Sequence, residues 1–171
     1  MEMPRTLLLD GQDYEEDWAC WERIAVRGIA FLDGKLLMVE DAYGLLKLPG
    51  GGQDPGETDV QTLLREVREE TGYRVREDSV RPFGLIEEKR KSYDKPEIFH
   101  QINRLYLCEV DGAQGACAYS ENERRRGMHC VCRTPGEALA ATAAAFADRP
   151  LLLQREYRVL LWVQAYLREH A

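Results

Sequence analysis

The sequence predicts an α/β protein, a mixed β-sheet held between helices, and three observations carry that expectation. Runs with strand character recur along the chain, one segment near the middle carries the helical period free of Gly and Pro, and two more helical segments lie toward the C-terminus. Strands on both sides of a first helix, with helices at the end, suit a sheet covered on both faces. At 171 residues and 44% hydrophobic content, the chain can bury a sizeable core. No internal repeat divides it. We expect one domain over residues 1–171, with its core at about 21–147, flanked by segment 1–20 and a helix at 150–169.

The elements follow in order. The opening stretch MEMPRTLLLDGQDYEED holds a run of three leucines followed by acids, which is not a signal-peptide pattern. No run of 18 apolar residues occurs, so no membrane span is expected. Both readings point to a cytoplasmic chain. Arg23–Phe31 (RIAVRGIAF) reads as a strand, Asp33-Gly34 as a hairpin turn and Leu36–Glu40 as its partner strand. Phe83–Lys89 and Ile98–Val110 read as two strands joined by KSYDKPE. In the second, Ile98, His100, Ile102, Arg104, Tyr106 and Cys108 share one face, and Phe99, Gln101, Asn103, Leu105 and Leu107 the other. Met128–Arg133 is a short strand. Thr134-Pro135-Gly136-Glu137 has the form of a capping box opening an Ala-rich helix to about Ala147. Pro150 is expected to open a last amphipathic helix, with Leu153, Tyr157, Leu160, Leu161 and Tyr166 toward the core. The five cysteines lack a CxxC pattern and read as reduced small hydrophobes, with a zinc site or redox pair as the alternative.

Asp59–Thr71 is the strongest helix. It is rich in Gln, Leu, Arg and Glu, which are good helix formers. Thr58 or Glu57 can cap its start, and Gly72 suits the residue after its end. Val60, Leu64 and Val67 recur at helical spacing and are expected to face the core. Glu66, Glu69 and Glu70 fall on a separate arc, in a chain that already carries a net charge of −7. Most charged helix faces only keep a helix in water, so the surroundings must decide. They are a Gly-rich turn, LPGGG at 48–52, then the turn Asp54-Pro55-Gly56, then Glu57. Glycine permits close backbone approach and positive φ. Hard divalent cations take carboxylate, carbonyl and phosphate oxygens. A triglycine loop against three carboxylates offers the protein part of that set.

The stretch Gly51–Tyr73 resembles the Nudix box, G-x5-E-x7-R-E-U-x-E-E-x-G-U with U a bulky aliphatic. Gly51, Glu57, Arg65, Glu66, Val67, Glu69, Glu70 and Gly72 all match. Average residue usage makes a chance match on the order of 10⁻⁹ per start site. The last aliphatic is replaced by Tyr73, which we expect to begin the next strand with its ring buried. The resemblance implies a Nudix-like α/β/α sandwich whose loop–helix–loop binds Mg²⁺ or Mn²⁺ and a pyrophosphate. It implies Glu66 and Glu70 as principal ligands with Glu69 close behind, one of the three serving as general base. The carbonyl of Gly50 or Gly51 is similar to the family's backbone ligand, and Glu57 with Arg65 to its supporting ion pair. A further acid from outside the box is expected, with Glu87, Glu88, Glu97, Glu121 and Glu123 as candidates. The box covers 23 residues, and the flanking strand order extends the likeness over Trp21–Ala147.

The implied activity is hydrolysis of a nucleoside diphosphate linked to another group, such as a nucleoside triphosphate or nucleotide sugar. Two alternatives stay open: a module that holds a nucleotide without cleaving it, and a hydrolase of a non-nucleotide diphosphate. Members that only bind typically lack box carboxylates, all of which are present here. With a pI near 5.1, the chain lacks the basic footprint of a general nucleic-acid binder. Lys89, Arg90 and Lys91, and likewise Arg124–Arg126, are candidates for holding substrate phosphates. Phe99, Tyr93 and Tyr106 are candidates for stacking on a base, against the commoner core role. His100 reads as a hydrogen-bonded strand histidine. The segment with Trp18 and Trp21 is a candidate for crossing to a second subunit in a homodimer.

Overall fold

The computed structural model describes residues 5–148 and 154–171. Its elements run β1 (Arg5–Asp10), β2 (Cys20–Leu32), β3 (Lys35–Glu40), β4 (Leu46–Lys47), β5 (Gly50–Gly52), α1 (Asp59–Thr71), β6 (Arg81–Lys91), β7 (Ile98–Cys108), α2 (Glu121–Arg125), β8 (His129–Arg133), α3 (Pro135–Ala145) and α4 (Arg155–Glu169). The sheet order is β1-β6-β7-β2-β3-β4, with β5 also on β2 and β8 on β3. β1 is parallel to β6 and β7 to β2, while the other pairs are antiparallel. The sheet is mixed, as expected.

Its two faces carry separate cores. On one, Ile29, Met38, Ile86 and Leu105 pack with Ala138 of α3 and Val159, Leu160 and Val163 of α4. On the other, Val26, Ala30 and Leu37 meet Leu63 and Val67 of α1. Gly28 lets α1 lie close: a Cβ there would sit 3.1 Å from Val67 and 3.2 Å from Leu63. Burying each of these two side chains stabilises the helix–sheet contact by roughly 1.5–3 kcal/mol.

The local signals produce the expected elements. Asp33 and Gly34 both take positive φ, as a two-residue hairpin turn requires. Thr58 caps α1 in a reciprocal box with Gln61, and Gly72 ends it in the left-handed region. Thr134 and Glu137 close the same box on α3. His100 bonds Glu87 at 2.8 Å. All five cysteines are free thiols.

Other expectations need correction. The core side of α1 is Leu63 and Val67, whereas Val60 and Leu64 are only partly buried. The helix approaches the sheet one position round from the wheel reading. Glu70, expected on the polar arc, is 1% exposed. In α4, Val159 and Val163 join Leu160 inside, while Leu161 is 37% exposed. Pro150 and Leu153, read as the opening of that helix, lie outside the described residues. Tyr73 buries its ring without beginning a strand. The three-leucine run is β1, an edge strand, and the polar loop before Met128 contains α2.

Candidate active site

The glycine segment is not a free loop. Gly50–Gly52 form β5, paired with Ala25–Arg27 of β2 on one side and facing α1 on the other. Gly50 sits at φ +142, and a Cβ on it would lie 2.1 Å from the Val26 carbonyl oxygen. A Cβ on Gly51 would lie 2.6 Å from both carboxylate oxygens of Glu66. Side chains are excluded here because strand and helix press from opposite sides.

Two helix carboxylates close on this strand. Glu70 accepts from the Gly50 N–H at 2.8 Å and from the Lys47 ammonium at 2.6 Å. Burial pushes its carboxyl up in pKa, against the pull of Lys47. Burial likewise raises Glu66, although Arg65 donates to it at 2.7 Å. Arg65 also grips both oxygens of Glu57, at 2.7 and 2.8 Å, and donates to the Gly52 carbonyl at 3.1 Å. Those Arg65 hydrogen bonds hold the Glu57 carboxyl down at about 2. The loop is thus tied to the helix by the pair that the resemblance implied. The Glu69 carboxylate is half-exposed and, among the described residues, bonds Arg65 alone, at 3.5 Å.

A cleft of about 480 Å³ opens over β5, lined by Gly50–Gly52, Glu66, Lys47, Arg23, Arg90 and Glu123 among others. Of the five acids offered from outside the box, Glu123 is the one beside the helix carboxylates. It lies close enough to Lys47 and Glu70 to feel both, and its carboxyl is held low, with the Ser120 N–H and hydroxyl overcoming burial. Glu88 also reaches the cleft but is bound to Arg155 at 2.9 Å and Asn103 at 2.8 Å. Glu87 pairs with His100, Glu97 with Lys95 and Glu121 with Arg125.

Of the basic run, only Arg90 enters the cleft, with Phe99 beside it. Strand alternation turns Lys89 and Lys91 the other way, toward Tyr14 and Trp18. Tyr106 donates to Asp59 at 2.6 Å and packs against the core on the α1 side. Arg126 reaches the cleft while bonded to Asp41, whereas Arg124 and Arg125 bond locally.

Sequence reasoning missed four cations: Arg23, Arg27, Lys47 and Arg155. Arg27 is buried, donates to the carbonyls of Gly50 at 3.0 Å and Leu48 at 3.4 Å, and holds Asn103 at 3.1 Å. It shapes the glycine strand from below. The alternation of Arg23 and Arg27 along β2 was visible, but nothing local marked that face as a cleft wall.

The donor set suits a hard divalent cation: Glu66, Glu69, Glu70 and Glu123 supply only oxygen. Glu66 and Glu70 already face cations, a guanidinium and an ammonium. Among the described residues no three such side chains converge on one point as placed, so Lys47 and Arg65 would have to yield oxygens to an ion. The residues fit the group on that condition.

A covered mixed sheet, with a glycine strand and a carboxylate helix at a cleft lined by cations and acids alike, defines an α/β/α protein. The chain belongs to the Nudix family: the profile described as NUDIX domain matches residues 21–154. That family generally works through a divalent metal on small pyrophosphate-containing nucleotides. A nucleoside triphosphatase from Enterobacter sp. is 38% identical over 64 residues, covering 37% of this chain and 45% of that protein. An ADP-ribose pyrophosphatase from Methanocaldococcus jannaschii is 30% identical over 95 residues, covering 53% of each. The chain spans about half the length of these curated relatives. A NUDIX hydrolase from Nitrosomonas europaea shares the fold with TM-score 0.61 at 19% identity, over 87% of this chain and 90% of that one.

Proposed function

We propose that the chain is a metal-dependent pyrophosphohydrolase. It would cleave a nucleoside diphosphate linked to another group, in the cytoplasm, as one domain over residues 1–171. One observation carries the reading: Glu66 and Glu70 close on the glycine strand at the floor of a cleft that also presents Arg23 and Arg90. A protein of net charge −7 cannot hold a pyrophosphate by bulk attraction, so local cations must do it. The names of the relatives, a nucleoside triphosphatase and an ADP-ribose pyrophosphatase, support the same substrate class.

In this reading Glu66 and Glu70 hold Mg²⁺ or Mn²⁺, with Glu123 as the further acid and the Gly50 or Gly51 carbonyl as backbone donor. When bound, such a metal lowers the pKa of water and offsets charge on phosphorus. Glu69, whose carboxylate is held among the described residues by its 3.5 Å contact with Arg65 alone, is the carboxylate most free to take the proton of the attacking water. Arg23 and Arg90 orient the phosphates, and Arg65 with Glu57 fixes the loop. The test is chromatographic product analysis with Mg²⁺ or Mn²⁺. It would offer nucleoside triphosphates, nucleotide sugars, ADP-ribose and dinucleoside polyphosphates, beside Glu66→Gln. Cleavage of one class, lost in the variant and with chelator, is expected. Normal turnover in Glu66→Gln would overturn the assignment.

A further inference from the structure

We propose that the slot between Tyr93 and Phe99 at the rim of the cleft is the site for the substrate's nucleobase, and that the Arg90 guanidinium holds the slot open until a base displaces it. This rests on the pyrophosphohydrolase reading and assigns the residues that would hold the base of its nucleoside substrate.

Strand register builds the site. Trp21 pairs with Phe99 across β2 and β7, and Phe99 with Arg90 across β7 and β6, so the three stand in one row. The next row on that face is Arg23, Gln101 and Glu88. Large rings stay in water here: Trp21 in that row is 48% exposed, and Tyr93, in the loop between β6 and β7, 88%. Trp21 and Phe99 touch, with centroids 5.4 Å apart.

The Arg90 guanidinium lies against both rings. Its guanidinium carbon lies 3.9 Å from the Tyr93 centroid and 4.2 Å from that of Phe99. A guanidinium is flat and stacks on aromatic faces, and every nucleobase offers a π-face to the same rings. Arg90 has no carboxylate partner among the described residues; it donates only to the Lys91 carbonyl at 2.9 Å. Base–aromatic stacking is at least as strong as a partly exposed cation–π contact on the same ring, so a base can take its place.

The order of groups then matches a nucleotide. Beyond the rings stands Arg23, which makes no ion pair or hydrogen bond among the described residues. It lies against Gly52, where a Cβ would meet its guanidinium nitrogen at 2.7 Å. Beyond Arg23 come the glycine strand and Glu66. Base, phosphate and carboxylates follow one line, and the displaced Arg90 joins Arg23 on the phosphates. A diphosphate without a base would leave the ring slot unused.

The test is calorimetric titration of the full chain, in chelator, with adenosine and with ribose as the ring-free control. Adenosine is expected to bind and ribose not. Phe99→Ala should weaken adenosine about tenfold, while Arg90→Ala should tighten it severalfold because the slot is already clear. Thermal melts would verify that both variants fold. Absence of adenosine binding at millimolar concentration, indifference to Phe99→Ala, or weakening by Arg90→Ala would each overturn the proposal. Hydrolysis of diphosphates is scored separately with the Glu66→Gln control. Cleavage without adenosine binding sinks the base site alone. Adenosine binding without any cleavage sinks the hydrolase reading alone.

Discussion

Lys47 and Glu70 form a pair whose two members are unequally buried, and that asymmetry predicts unequal costs. The ammonium and carboxylate meet at 2.6 Å, with side chains 28% and 2% exposed. Lys47→Met strands a buried carboxylate with the Gly50 N–H as its close donor. Breaking a buried pair this way costs about 3 kcal/mol, the low end for such losses, because that one donor remains. Glu70→Gln strands an ammonium that water already reaches and keeps an oxygen for Gly50, so its cost is about 1–2 kcal/mol. In a chain of this size each kcal/mol moves the melting temperature by roughly 2–4 °C. Lys47→Met should therefore melt about 6–12 °C low and Glu70→Gln about 2–8 °C low. The double variant should cost less than the sum, by about 1–2 kcal/mol. Denaturant midpoints of all four proteins, measured in chelator, give the cycle. Strict additivity, or a larger loss in Glu70→Gln than in Lys47→Met, would refute the reasoning.

Further predictions concern the loop, the acid limb and the added carboxylate. Gly50→Ala would drive a Cβ into the Val26 carbonyl, so it should lose the fold and go insoluble; Gly51→Ala meets first the movable Glu66 carboxylate and should melt normally while losing turnover at least a hundredfold. If both behave alike in melts and assays, the opposed-pressure picture of β5 is wrong. Glu57 titrates at about 2 in the fold against about 4.3 unfolded. A depressed folded value gives stability that is whole above pH about 4.3 and is lost as pH falls toward 2. Denaturant midpoints of Glu57→Gln should be flatter in that window, and an unchanged acid limb would count against the Arg65 clamp. Glu123→Gln should fold normally yet bind Mn²⁺ about tenfold more weakly by paramagnetic titration; unaltered binding removes it from the ligand set.

What was legible in the sequence is what is local. The Thr58 and Thr134 boxes, the Asp33-Gly34 turn and the glycine stop at Gly72 each act within a few residues, and each element formed where its signal stood. The box carboxylates were legible through fixed spacing on one helix. The burial of Glu70 was not, because its partner Lys47 arrives from a different strand and turns a polar arc into an interior one. Arg27 escaped for the same reason: its partner Asn103 lies 76 residues away. β1 was short, and its pairing with β6 is parallel and remote, so no hairpin turn announced it. Among the five outlying acids, only the placement of α2 singled out Glu123.

The central ladder also sets a timetable for synthesis. β2 pairs with β7 in parallel, Ile24 opposite Ile102 and Ile29 opposite Leu107, so every rung joins residues 78 positions apart. At roughly 5–20 residues per second, a ribosome leaves β2 without this partner for about 4–16 s. The β2–β3 hairpin and α1 can form in that interval, but the edge that awaits β7 stays bare. Glu22, Arg23 and Arg27 sit along that waiting strand, and charges on an unpaired edge discourage pairing with another nascent chain. The arginines that later face the cleft would thus act first as guards of the newborn strand.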